Sequence, residues 1–182
     1  MGDNSHWPAV CIPEGARAGF SVFGVLRPPA EWYVSLWRHA VGGKGQHLDA
    51  LRAWTGGSTG LDQCVAAWTS GERPAAADAY PLVIVPANPA RVIEWRQGEG
   101  LWSYCMRYFF VGNGGEWAVD ELVPIEDTDA TIREWGIQLR PRKNVRAGHA
   151  PTLPSALLGA VDIADGDMHR TALAFARRKV AA

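Results

Sequence analysis

The sequence predicts an α+β fold: an antiparallel meander of about five or six strands, with N-terminal helices and a C-terminal helix packed on one face. Three observations predict it. Apolar residues recur at helical spacing between 30 and 69, at a spacing of two from 81 to 139, and at helical spacing again near the end. Two tight-turn signals, Gly98–Glu99 and Asn113–Gly114, fall inside the middle region. Counting outward from each turn sorts aromatic residues and charged residues onto opposite faces of one layer.

Taken in order, residues 1–14 read as a flexible N-terminus and 15–182 as a single domain. GFSVFGVLR (19–27) is rich in β-formers and suits a buried strand. Pro28 and Pro29 end it and open a helix, because proline is tolerated in a first turn. AEWYVSLWRHAV then sets Tyr33, Leu36, Trp37, Ala40 and Val41 along one side, and Gly42–Gly43 stops it. HLDALRAW (47–54) repeats the pattern with Leu48, Leu51 and Trp54. A third short helix is expected at 60–69, capped by Ser58 or Thr59, with Leu61, Cys64, Val65 and Trp68 on one face. ERPAAADAYP connects it to PLVIVP (81–86), a short strand. Three longer strands follow, and WGIQL (135–139) alternates as a further one. RPRKNVRAGHAPTLP (140–154) reads as a loop, and DMHRTALAFARRKV as a helix with basic residues in its last turn. This order resembles the helix-grip layout, in which a curved sheet wraps a long C-terminal helix over a cavity.

A type II′ turn at Gly98–Glu99 pairs Trp95 with Trp102 and Ile93 with Tyr104. A type I′ turn at Asn113–Gly114 pairs Phe110 with Trp117 and Arg107 with Asp120. One face then collects Ile93, Trp95, Trp102, Tyr104, Met106, Tyr108, Phe110, Trp117 and Val119. The other collects Glu94, Arg96, Ser103, Cys105, Arg107 and Asp120. Arg91 and Glu121 fall on the aromatic face, near strand ends.

Bulk properties narrow the classes. A net charge of −1 gives the whole molecule no pull toward nucleic acid or anionic membrane, so any such pull must be local. Nine tryptophans are many, and each wants a partner for its N–H. Cys11, Cys64 and Cys105 have no metal-ligand spacing and cannot all pair with one another, which reads as a reduced, cytoplasmic chain. No basic n-region or long apolar run marks a signal peptide or a membrane span.

Three functions follow as expectations. The first is a non-enzymatic interaction protein that recognises another macromolecule through a sheet face or basic loop. Glu94, Arg96, Arg107 and Asp120 offer the charged face, and a protein partner or homo-oligomer is implied. The second is a small-molecule-binding cavity lined by the aromatic face, with Arg91, Tyr104, Tyr108 and Glu121 as its polar groups and a small apolar ligand. The third is phosphate or nucleic-acid binding by Arg140, Arg142, Lys143 and Arg146 in the 140–149 loop. No cofactor, metal or catalytic constellation is expected. Cys105 lies two residues from Arg107, and a cation lowers a thiol pKa, but no histidine stands near in sequence to act as its base. DIADGDMH lacks calcium-loop spacing and is read more economically as a helix cap at Asp165 or Asp167.

Overall fold

The structure, a computed structural model, describes residues 8–43, 46–73, 91, 93–137 and 151–178. A 3₁₀ turn, Ala9–Cys11, leads into α1 (Glu14–Arg17) and β1 (Phe23–Leu26). Then come α2 (Pro29–Gly42), α3 (Gln46–Trp54), α4 (Leu61–Trp68) and α5 (Leu101–Phe110). The chain continues through β2 (Glu121–Pro124), α6 (Thr128–Glu134) and α7 (Ser155–Arg178). The described residues are therefore mostly helical, with one two-stranded sheet, and the predicted antiparallel meander and its helix-grip likeness are overturned. That sheet is parallel: Phe23 lies opposite Glu121 and Leu26 opposite Pro124. The proposed strands at 81–86 and the basic loop at 140–149 lie outside the described residues.

The N-terminal expectations hold because their signals are local. Pro28 caps α2 and Pro29 occupies its first turn; Gly43 ends it. The third helix is present, although Gly60, not Ser58 or Thr59, stands at its N-cap. The C-terminal helix starts at Ser155 rather than Asp167, so DIADGDMH lies inside a helix of 24 residues. At about 1.5 Å per residue this rod is roughly 36 Å long. Its inward stripe runs Val161, Asp165, Met168, Ala172, Ala176, with a carboxylate in the middle of the apolar row.

The decisive difference is α5. LWSYCMRYFF, read as a strand between two hairpins, is a helix that packs on α2 and α7. Leu101, Trp102, Ser103, Cys105, Met106, Arg107 and Tyr108 are all buried, so the segment is enclosed on nearly every side. A helix buried all round carries no polar face, and its hydrophobic period is then uninformative. The polar residues that remain, Glu99, Ser103 and Arg107, are four apart. Four is a multiple of the strand period and close to one helical turn, so the two templates cannot be separated by that spacing.

The turns also shift. Glu99 N–H donates to Arg96 C=O (3.1 Å), which places Gln97–Gly98 at the centre, and Gly98 has φ +79°. A positive φ at the second central position defines a type II turn, not the II′ turn of a hairpin. At the second turn Gly115 N–H donates to Gly112 C=O (3.2 Å) and Gly115 carries φ +90°. This is a type I turn followed by a left-handed glycine, which moves the pairing so that Val111, not Phe110, bridges Trp117. WGIQL is likewise not a strand start. Trp135 caps α6, Gly136 is left-handed (φ +72°), and Ile137 N–H donates to Ile132 C=O (3.2 Å), a Schellman closure.

Candidate functional site

The predicted aromatic face is dispersed. Trp102 sends its indole N–H to Arg27 C=O (3.1 Å) and packs edge-on against His169, while Trp117 stacks on Phe175 (5.0 Å). Trp95, Tyr104 and Tyr108 do stay together as a stack, with centroids 4.8 and 6.4 Å apart. Of the four residues read as cavity polar groups, Arg91 lies over the Tyr108 ring (6.0 Å) beside Tyr104, whereas Glu121 stands on β2. Arg107 does not pair with Asp120. Its Nε donates to Glu99 (2.5 Å), its Nη2 bonds both Glu99 and Glu94 C=O, and its guanidinium lies 5.9 Å from the Tyr104 ring. Asp120 binds Val22 in both directions, accepting its N–H (2.7 Å) and donating to its C=O (2.7 Å). Glu94 and Arg96 are exposed. Arg140, Arg142, Lys143 and Arg146 lie outside the described residues.

What the geometry does assemble is a polar frame around α5, none of whose capping residues is a neighbour in sequence. At the N-terminus Gly100 brings no capping side chain. Asp165 Oδ1 instead accepts Ser103 N–H (2.9 Å), the Tyr33 hydroxyl accepts Trp102 N–H (3.1 Å), and Ala164 C=O accepts Gly100 N–H (3.2 Å). Tyr33 in turn donates to Asp165 Oδ2 (2.7 Å). These bonds satisfy orphan donors at a helix N-terminus, where negative charge is also favoured by the dipole. At the C-terminus the Arg91 guanidinium donates to Arg107 C=O (2.8 Å) and to Val111 C=O, with Asn113 as a third acceptor (3.1 Å). A cation at that end is the favourable complement.

Burial sets the proton chemistry here. It raises the Asp165 carboxyl above the ordinary range, while hydrogen bonds from Tyr33 and Ser103 pull the other way without cancelling it. Burial, then the nearby Asp165 charge, raises the Tyr33 phenol well above its usual value. Cys105 is raised first by burial and then by Asp165 and Glu99, and Cys64 is pushed up to about 11 by burial. Neither thiol is a nucleophile at neutral pH. The frame's hydrogen bonds end on the α5 backbone and on one another, which gives it a structural role, although Arg91 Nε and Ser103 Oγ are buried without a partner among the described residues.

Two features open outward. Val22 and Leu26 turn their C=O groups toward Asp120 and Ile125 on the β2 side. Alternation then points the N–H and C=O of Phe23 and Val25 away from β2, and among the described residues no other strand pairs with that edge. Their side chains are 37% and 40% exposed, and the Trp135 ring stands edge-on to Phe23 at 4.6 Å. Gly24 faces inward, where a Cβ would lie 2.8 Å from Phe110 and 2.9 Å from Leu122. The second feature is a groove of about 460 Å³ between α2 and residues 151–158.

Sequence reasoning missed Tyr33, Glu99 and Asp165 as members of the frame. The usable signal was the lone carboxylate on the α7 apolar stripe, visible only once the helix is extended back to Ser155. No family model, curated protein or solved structure matches the chain. The fold and sites define a helical α/β domain centred on a buried, remotely capped helix. No described helix is long and apolar enough to cross a membrane.

Proposed function

We propose that the protein is a non-enzymatic interaction module that takes up an extended segment of a partner protein along the outer edge of β1. The observation that carries this reading is the pair of outward backbone positions, Phe23 and Val25, flanked by exposed apolar side chains and Trp135. An added strand gains main-chain hydrogen bonds from such an edge and side-chain contacts from alternate residues. Natural edges are commonly blunted by lysine, proline or an inward charge, and Phe23–Leu26 contains none of these. The three free cysteines fit a reducing, cytoplasmic setting for the encounter.

The test is selection of peptides from a displayed random library on the immobilised protein, followed by titration of the selected sequences. Recovered peptides should alternate apolar residues and perturb the Phe23 and Val25 amides. Val25→Pro, which removes an outward N–H without touching the β1–β2 ladder, should weaken them about tenfold or more. Peptides that bind Val25→Pro as well as wild type would refute the reading. So would concentration-dependent self-association through this edge with no peptide selected.

A further inference from the structure

We infer that the groove between α2 and the start of α7 is a binding site for a small carboxylic acid with a compact apolar body. This inference is independent of the β1 edge. One wall is a single stripe of α2, in which Val34 and Arg38 are four residues apart on the same side. The facing wall is Pro151–Leu153 with Leu158. Its volume of about 460 Å³ lies within the span usual for small-molecule sites.

The chemistry is divided along the groove. Val34 and Leu153 are buried and supply an apolar floor, which Leu158 extends at the surface. Among the described lining residues, Arg27 and Arg38 supply two guanidinium groups and Glu31 one carboxylate, on a chain whose net charge is −1. Among the described residues Arg27 has no ion-pair partner, and its backbone is held in place by the Trp102 indole N–H at 3.1 Å. A planar guanidinium fork recognises a carboxylate through two parallel, charge-assisted hydrogen bonds. Ser35 and Thr152 add hydroxyls to the lining, able to donate to the same oxygens. An apolar floor with arginines beside it selects an amphipathic monoanion over a bare anion or a neutral hydrocarbon.

Titration of the full chain with octanoate, followed by NMR, tests the site. Octanoate should saturate, shifting amides within 27–38 and 151–158 and the Trp102 indole resonance. Octan-1-ol, of the same length without charge, should bind at least about tenfold more weakly, as should octanoate to Arg27→Gln. Leu158→Asp, at the exposed apolar end, should weaken octanoate binding without changing the helical circular-dichroism spectrum. Equal affinity for octan-1-ol and octanoate would overturn the inference, as would saturation that leaves these two segments unshifted. Inorganic phosphate competing as well as octanoate would overturn the requirement for an apolar body.

Discussion

Asp165 is 1% exposed, and its carboxylate accepts two hydrogen bonds, from the Tyr33 hydroxyl and from Ser103 N–H at the helix end. Replacing it with alanine leaves Ser103 N–H and the Tyr33 hydroxyl without their partner, at a cost of about 3 kcal/mol. Asparagine keeps the shape and one acceptor, and Tyr33 can turn its proton to Trp68 C=O, already 3.4 Å away. Asp165→Asn should therefore be tolerated where Asp165→Ala is not. The pH dependence has a definite sign. Because burial holds the folded carboxyl above its unfolded pKa, its contribution is full below the unfolded value and is lost as pH rises through the folded one. Relative to Asp165→Asn, the wild type should thus lose stability as pH climbs above about 4. Urea midpoints of the two proteins across the acid-to-neutral range check this, and a constant difference would show that the carboxyl titrates alike in both states.

At the scale of elements, α5 exists because the rest of the fold caps it, and not because its residues favour a helix. Trp, Tyr, Phe, Cys and Ser are weak helix formers, and seven of its ten residues belong to these types. The close approach of α7 demands glycine at the N-cap, since a Cβ on Gly100 would lie 2.4 Å from both Asp165 oxygens. Gly100→Ala should destabilise about as much as Asp165→Ala, whereas Gly15→Ala, with nothing within 4 Å, should be neutral or slightly stabilising. Paired thermal melts decide it. The same contrast explains what the sequence disclosed. The starts and stops of α2, α3 and α4 were legible because proline, paired glycines and amphipathic spacing act over a few residues. β1 was legible as a strand, but its partner was not: β2 lies about a hundred residues away, and nothing local specifies parallel pairing. The charged and aromatic residues of 91–123 were singled out in the sequence as two faces of a sheet. Their roles could not be read, because Arg91 binds the backbone of α5 and Arg107 binds Glu99 just ahead of it, neither across a sheet.

For the whole molecule, the core is organised by α7, which contacts α2, α4, α5 and β2. Its stripe carries Ala172 and Ala176, small enough for neighbours to come near, together with the carboxylate that α5 requires. A chain ending at residue 150 keeps every other described element but loses this spine. It should show no cooperative thermal transition and little dispersion of amide resonances; a sharp transition in that fragment would mean the remaining helices form a core unaided.

The contacts that finish α5 join residues 62 and 69 positions apart, Ser103 to Asp165 and Trp102 to Tyr33. During synthesis, then, the middle of this polypeptide leaves the ribosome before its completing side chain has been made. Its aromatic residues lack those partners until α7 is translated, so a chaperone that binds exposed apolar surface should engage the nascent chain in that interval.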